Sequence, residues 1–445
     1  MALDFRRNAA TRFVNLDEGT VAREIFVSDA IYQQEQEQIF ARAWLFIGHE
    51  SQIPNPGDYF VSCMGEESVI LTRDSDLSIH VLLNTCTHRG MKVCRYDEGN
   101  TGSFTCPYHG WSFGVDGQLV STPGELIGVP HFRDAYYSEL DKSKWGLVQV
   151  PQMANYKGTI WATWDKDAPP FLDYIGGYKL YLDLLLDGRD GREGGSEVLG
   201  GVQKWQIPCN WKFAAENFAG DAYHNISHRS VDVVGIGPSG KGRRDNEWGG
   251  TLRYQAAFPE LGHSCLVYHQ QDDLPYTPTY QETPIVEEYM RYCYEERQRR
   301  LGEAARILGS VGTVFPNTTY LARQPRSIGV WHPRAATKCE GWRWFLVDKD
   351  APREVKDVLR HYYIRYSGPG GLTEQDDMEN WNYATAASKG TMARRLPYNY
   401  QMGMGHEFTG GPLPGRLSPA FSEQAQRGFY GRWAQFMDAR DWGDL

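Results

Sequence analysis

The stretches "NTCTHRG" (residues 84–90) and "TCPYHGW" (105–111) decide how this chain is read. Each sets a cysteine shortly before a histidine and follows the pair with a glycine: Cys86, His88 and Gly90 in the first, Cys106, His109 and Gly110 in the second. The full pattern is C-x-H-x17-C-x2-H. Four soft or borderline donors in two short pairs point to a metal. Zinc takes cysteine and histidine in any mixture, commonly from closely spaced cysteine pairs. A [2Fe–2S] cluster with two cysteines on one iron and two histidines on the other needs one of each from either loop, and this spacing meets that demand. Gly90 and Gly110 permit turns that side chains disfavour, and Pro107 stiffens the second loop.

Around these loops lie short β-branched or alternating runs: "DYFVSCM" (58–64), "SVILTR" (68–73), "IHVLLN" (79–84) and "GTIWATW" (158–164). They predict a small all-β domain over residues 40–168. Ahead of it, "VSDAIYQQEQEQIFARAW" (27–44) predicts a helix capped by Ser28 or Asp29, with Ile39, Phe40, Ala43 and Trp44 on its apolar face. The segment 1–39 is expected to pack on the larger domain, 169–445, rather than on the small one. "WDKDAPP" (164–170) closes the small domain, and "VDKDAP" (347–352) punctuates the larger one. Each follows an apolar strand and precedes a helix-like stretch. Phe421, Ala425, Phe429 and Trp433, at steps of four, predict a core-facing stripe on the last helix.

A net charge of -10 argues against a nucleic-acid partner, which would demand a basic face. No run of about 18 apolar residues offers a membrane span. The opening "MALDFRRNAATRF" lacks the apolar stretch of a secretory signal, so a cytoplasmic protein is expected. Eight cysteines in so long a chain do not form a disulfide scaffold. Cys63, Cys94, Cys209, Cys265, Cys293 and Cys339 are expected as buried small hydrophobes. "GIGPSG" (235–240) has the form G-x-G-x-x-G, but Pro238 and the absence of a following helical period make it a glycine-rich loop.

A second constellation begins at Asn210, in "NWKFAAENFAGDAYHNISHRS". Read as one helix, it stacks Asp221, His224 and His228 on a single stripe. Paired histidines on a helix are usually ordinary core or surface residues. Here an acid shares their face and a metal site already exists in the chain. Two histidines and one carboxylate with open positions describe a non-haem Fe(II) oxygenase. The carboxylate has to come from elsewhere, and "GGLTEQDDMENW" (370–381) offers Asp376 and Asp377 near the start of another helix. Neighbours on a helix diverge by about 100°, so only one of the two should face the metal. Both acids would also favour a helix N-terminus with no metal at all.

"CTHRG" and "CPYHGWSF" resemble the Rieske motif. From "AWLFIGHES" (43–51) through both constellations to "EQDDMENW" (374–381), the chain resembles the large (α) subunit of bacterial Rieske non-haem iron aromatic ring-hydroxylating dioxygenases. The resemblance implies an α+β fold: a small all-β Rieske [2Fe–2S] domain, plus a larger catalytic domain with an antiparallel sheet covered by helices. It implies a [2Fe–2S] cluster on Cys86, His88, Cys106 and His109, and a mononuclear Fe(II) on His224, His228 and Asp377. Asp221 would link that iron to the Rieske centre of a neighbouring subunit. NADH would act only indirectly, through a reductase and a ferredoxin. O2 would add to an aromatic ring as a cis-dihydrodiol. A small β subunit in an α3β3 hexamer is implied as partner, with no nucleic acid and no membrane. Asn217, Phe218 and Asn225 would lie by the iron and line a pocket for the aromatic substrate.

The region around the histidines looks most like α subunits acting on polycyclic aromatic hydrocarbons. An aromatic carboxylate such as phthalate would instead call on a cation, for which Arg229, Lys241, Arg243 and Arg244 are candidates. A ring monooxygenase or demethylase is a further reading. One departure stands out: naphthalene- and biphenyl-type members space the two histidines more widely than "HNISH" does.

Overall fold

The structure, a computed structural model, describes residues 12–126, 128–137, 139–187, 195–236, 251–270, 276, 278–323 and 325–445. Chain contacts divide it into two compact units. One is Ala41–Ala168; the other joins the chain up to Phe40 with Pro169–Leu445.

The smaller unit is built from short antiparallel strands. They are β1 (Leu45–His49), β2 (Asp58–Met64), β3 (Glu67–Arg73), β4 (Ile79–Leu83) and β5 (Glu98–Asn100), followed by β6 (Ser103–Thr105), β7 (Ser112–Gly114), β8 (Leu119–Ser121), β9 (Gln152–Tyr156) and β10 (Thr159–Thr163). They form sheets in the orders β4-β3-β2-β5, β8-β7-β6 and β9-β10-β1. Ile70, Leu82, Phe104, Trp111 and Phe113 pack into one core with Cys86 and Cys106. Strand periodicity explains the exception among the six cysteines expected to be buried. On β2, Phe60, Ser62 and Met64 point inward, so Cys63 falls on the opposite face and is only half-buried. The other five are buried free thiols.

In the larger unit, nine strands form one antiparallel sheet. They are β11 (Ser196–Val198), β12 (Gln203–Ile207), β13 (Thr251–Phe258), β14 (His263–Gln270), β15 (Ile307–Val314), β16 (Thr318–Leu321), β17 (Ser327–Ala335), β18 (Lys338–Asp348) and β19 (Arg416–Pro419). The order is β11-β18-β17-β16-β15-β14-β13-β19, with β12 also paired to β18. Trp331, Trp344, Phe345 and Leu346 are buried on its central strands, each such side chain stabilising the fold by roughly 1.5–3 kcal/mol.

Helices of this unit include α1 (Asp29–Glu35), α2 (Phe171–Ile175), α3 (Lys179–Leu186), α4 (Trp211–Phe218), α5 (Arg229–Val234), α6 (Pro284–Leu301), α7 (Arg353–Tyr366), α8 (Leu372–Ser388) and α9 (Gln424–Asp438). Pro170 and Pro352 immediately precede α2 and α7. Ser28 caps α1 by accepting from the Ile31 amide. That helix is shorter than its sequence pattern predicts: it passes into a π-helical turn, Gln36–Phe40, and Ala43 and Trp44 are buried beyond its end. The stripe on α9 needs a similar correction. Ala425, Phe429 and Trp433 are buried, but Phe421 precedes the helix and is half exposed. No helix among the described residues is long and apolar enough to cross a membrane.

Candidate metal centres

The two Cys/His loops share one backbone design. Cys86 N–H donates to Met91 O at 2.8 Å and Gly90 N–H to Cys86 O at 2.8 Å. In the second loop Cys106 N–H donates to Trp111 O at 2.7 Å and Gly110 N–H to Cys106 O at 2.9 Å. Each glycine closes its turn at a positive φ, +74° and +69°, a region that side chains rarely enter. Cysteine therefore takes the first position and glycine the fifth in both loops. Histidine takes the third position in one loop and the fourth in the other, which is why the two spacings differ.

This design pairs like with like. Cys86 and Cys106 are both buried in one core, and burial, with the nearby Cys106 thiol, raises the Cys86 pKa. The His88 and His109 rings meet edge to face, 4.7 Å between centroids, and are only half-buried. A single zinc ion would need all four donors around one point. A two-iron cluster with cysteines on one iron and histidines on the other needs this segregation. Trp111 stacks on His88 at 4.9 Å with 6° between planes, and Tyr108 stacks on His109 at 3.8 Å. Burial, then the charge of His109, lowers the His88 pKa and favours the neutral imidazole that can ligate.

The second constellation is assembled differently from the single helical stripe. Asn210 caps α4 by accepting from the Lys212 amide, but the helix stops at Phe218. At Gly220 the backbone takes φ +142°, and the Gln255 amide donates to the Gly220 carbonyl at 2.7 Å. A φ of +142° lies outside helical geometry and suits glycine, so the chain leaves the helical path here and re-enters as a 3-10 turn, His224–Ile226, followed by α5. The loop still delivers both imidazoles to one point. His224 Nε2 lies 3.0 Å from His228 Nε2, and Asp377 Oδ1 from α8 lies 3.5 Å and 3.2 Å from them. Donors bound at about 2.1 Å and at right angles to one another sit about 3.0 Å apart, so this triangle suits one face of a metal's coordination sphere. Among the described residues it is the one group of three such donors converging within 4.8 Å.

Both imidazoles are held from behind. Asp221 Oδ1 lies 3.4 Å from His224 Nδ1, and Asp376 Oδ2 lies 3.4 Å from His228 Nδ1. Ser230 Oγ donates to Asp376 Oδ2 at 2.6 Å and fixes that carboxylate. Burial pulls the His224 pKa down, yet the Asp221 hydrogen bond and the Asp377 charge outweigh it and raise it to about 9. The sequence reading leaves Asp376 without a task; the signal was its adjacency to Asp377, since neighbouring acids on a helix point in different directions. Beneath α8, Glu374 forms a buried ion pair with Arg343 of β18, anchoring the turn that carries Asp377.

Of the predicted pocket residues, Phe218 is buried with its ring 5.9 Å from Trp331. Asn217 is half-buried, and its carbonyl accepts from Asp221 N–H at 3.3 Å. The Asn225 side chain, Lys241, Arg243, Arg244 and all of "GIGPSG" beyond Ile236 lie outside the described residues. Arg229 is exposed at the start of α5.

Comparison with known proteins agrees with this architecture. The Rieske [2Fe-2S] domain family matches residues 43–131, and the ring hydroxylating alpha subunit (catalytic domain) family matches 177–439. The chain is 38% identical over 444 residues to the biphenyl 2,3-dioxygenase subunit alpha of Rhodococcus jostii (strain RHA1), covering 96% of this chain and 91% of that one. It is 38% identical over 439 residues to a benzene 1,2-dioxygenase subunit alpha of Pseudomonas putida, with coverage of 96% and 93%. Among solved structures, naphthalene 1,2-dioxygenase from Rhodococcus sp. bound to indole superposes with a TM-score of 0.81 at 34% identity, covering 96% of this chain and 98% of that one.

Proposed function

The chain belongs to the α subunits of Rieske non-haem iron ring-hydroxylating dioxygenases, and from that premise we propose that it cis-dihydroxylates a neutral aromatic hydrocarbon, mono- or polycyclic. The observation that carries this reading is the triangle of His224 Nε2, His228 Nε2 and Asp377 Oδ1 at 3.0–3.5 Å. It brings two imidazole nitrogens and one carboxylate oxygen to one point, the donor set a mononuclear iron that activates O2 would take. The names of the relatives, which act on biphenyl, benzene or naphthalene, support an uncharged substrate here.

In this reading Cys86, Cys106, His88 and His109 hold the [2Fe–2S] cluster, and His224, His228 and Asp377 hold Fe(II). Bound there, the cluster supplies single electrons and the iron supplies O2 activation. The protein's own residues do the rest. Asp376, hydrogen-bonded to His228 Nδ1, would fix the orientation of that ring, and the Asp221 carboxylate lies 3.4 Å behind His224 Nδ1. Asp221 is also the proposed bridge to the Rieske centre of a neighbouring α subunit. As an α subunit of a multicomponent dioxygenase the chain works with a β subunit, a ferredoxin and a reductase drawing on NADH. The assembly we propose is an α3β3 hexamer in the cytoplasm.

The test is turnover of the αβ complex with its electron donors under 18O2, offering biphenyl, naphthalene and phthalate. A cis-dihydrodiol of a hydrocarbon carrying two labelled atoms is expected. One labelled atom would make the enzyme a monooxygenase, and preference for phthalate would return the substrate to the aromatic carboxylates.

A further inference from the structure

Electrons have to enter the Cys/His loops as well as leave them. In the assembly proposed above a neighbouring α subunit closes the exit side, whereas a ferredoxin must come and go with each electron. A shuttling carrier cannot use a surface that a neighbour keeps covered. Entry therefore needs a second face of the Ala41–Ala168 unit and a path inward from it.

We propose that Trp145 is the electron-entry point of this unit and that Trp111 carries the path from it to His88. This rests on the α-subunit reading above. Trp111 is 3% exposed, shares one core with Cys86 and Cys106, and lies almost parallel to His88, with 6° between planes at 4.9 Å. Trp145 meets Trp111 edge to face, 84° between planes at 6.5 Å, and is 43% exposed. The three rings thus run from an imidazole of the loops to the surface. Thr87, between Cys86 and His88, donates its hydroxyl to the Trp145 carbonyl at 2.7 Å, so the first loop itself holds the outer residue in place. The Trp111 indole N–H is buried without a partner among the described residues, a donor that a sulfur of the bound cluster would satisfy.

The surroundings fit an acidic carrier. The chain as a whole carries a net charge of -10. The stretch that bears His88 nevertheless presents Arg89, Lys92 and Arg95, all exposed and none ion-paired among the described residues. The segment around Trp145 adds no unpaired cation: Lys142 pairs with Glu125 at 2.6 Å and Lys144 with Asp141 at 3.2 Å. Opposite charge on a partner would steer its approach and fix its register. Tyr108 is the rival entry point, since it is 59% exposed and stacks on His109 at 3.8 Å, though less squarely, with 29° between planes.

The step moves one electron. The reduced ferredoxin gives it up and the cluster held by the loops gains it. No bond breaks and no proton moves. The two indoles are the medium through which the electron tunnels, and they are neither oxidised nor reduced.

The experiment is stopped-flow reduction of the oxidised αβ complex by the ferredoxin that supports its turnover, at rising ferredoxin concentration, beside reduction by dithionite. The visible absorption of the cluster is followed in the wild type, Trp145→Ser, Trp145→Phe, Trp111→Leu, Tyr108→Leu and Lys92→Glu. Trp145→Ser should lower the limiting rate at saturating ferredoxin about 10-fold, with the visible spectrum, the midpoint potential and the dithionite rate unchanged. A merely structural role would move those three instead. Trp145→Phe should restore part of the limiting rate, and Trp111→Leu should show the same loss as Trp145→Ser. If Trp111→Leu holds the cluster poorly, the two Trp145 variants decide. Lys92→Glu should raise the half-saturating ferredoxin concentration and leave the limiting rate alone, as should added salt in the wild type. A wild-type limiting rate in Trp145→Ser, a loss in Tyr108→Leu in its place, or an effect of Trp145→Ser confined to the oligomeric state would each overturn the entry point. Unchanged half-saturation in Lys92→Glu would overturn the acidic carrier. None of these outcomes touches the dioxygenase reading, which instead fails if the wild type yields no doubly labelled product.

Discussion

Asp376 and Asp377, neighbours on α8, address opposite nitrogens of one imidazole. Asp377 Oδ1 lies 3.2 Å from His228 Nε2, while Asp376 Oδ2 lies 3.4 Å from Nδ1 of the same ring. A ring gripped at Nδ1 carries its proton there, which leaves Nε2 with a lone pair for a metal. Replacing Asp376 with Ala should therefore weaken iron binding or activity by about 10–100-fold without removing any donor of the triangle. Iron titration of the depleted protein checks this; an unchanged affinity and rate would show that Asp376 only favours the helix terminus.

His224→Ala removes a donor outright. The loaded protein is expected to fall from about three irons per α chain to about two, with the visible spectrum of the cluster retained. Loss of the spectrum along with the iron would mean that the two centres are not independent.

Asp221→Ala should behave in the opposite manner. It breaks no bond to a metal, so both centres should stay loaded and a chemical donor should still reduce the cluster. Transfer from cluster to iron should collapse, read in a single turnover as slow cluster reoxidation without product. Wild-type reoxidation coupled to product would remove Asp221 from the electron route.

Lys212 and Glu35 form an ion pair with no exposed surface, and Trp211 and Trp433 also donate to that carboxylate at 2.9 Å and 2.8 Å. Lys212→Met strands a buried charge and should cost about 3–5 kcal/mol in denaturant unfolding. The double change Lys212→Met with Glu35→Gln should recover part of that loss. Equal stability of the two variants would show that the charge is not what matters.

His263 is buried with both nitrogens committed in the neutral form: Nδ1 accepts from Phe315 N–H at 3.0 Å, and Nε2–H donates to Tyr174 O at 2.9 Å. Burial lowers its pKa to about 3. A depressed folded-state pKa means that its contribution is complete above the unfolded value and lost as pH falls from about 6.5 toward 3. Between pH 7.5 and pH 5 this one residue should account for about 2 kcal/mol of lost stability, and His263→Gln should narrow that gap. Denaturation curves at the two pH values, with an unchanged gap in the variant, would rule it out.

The paired turns of the two Cys/His loops could be read from sequence because their information is local. Cys86, Gly90, Cys106 and Gly110 lie within two short turns whose hydrogen bonds close on themselves. The convergence of His224, His228 and Asp377 was legible in its members but not in its backbone. Helical spacing put Asp221, His224 and His228 on one stripe, whereas the helix stops at Phe218 and the carbonyl of Gly220 is taken by Gln255, a strand residue 35 positions on. Phe421 misled for a related reason: step-of-four spacing continues past the point where Ser422 Oγ accepts from the Gln424 amide. Asp376 was visible as a candidate, but its task behind His228 was not, because that depends on partners such as Ser230, which no local pattern names.

The grip on Glu35 also sets an order of assembly. Its carboxylate closes on Trp433, 398 residues further along the chain, while the whole of Ala41–Ala168 lies in between. During synthesis, the inserted unit is complete as a chain when the unit that surrounds it has offered only its first helix. Because domains fold as units as they emerge, the unit Ala41–Ala168 can fold while the opening segment still waits for its partners. The Cys86/His88 and Cys106/His109 loops can then be in place before the triangle closed by Asp377 exists.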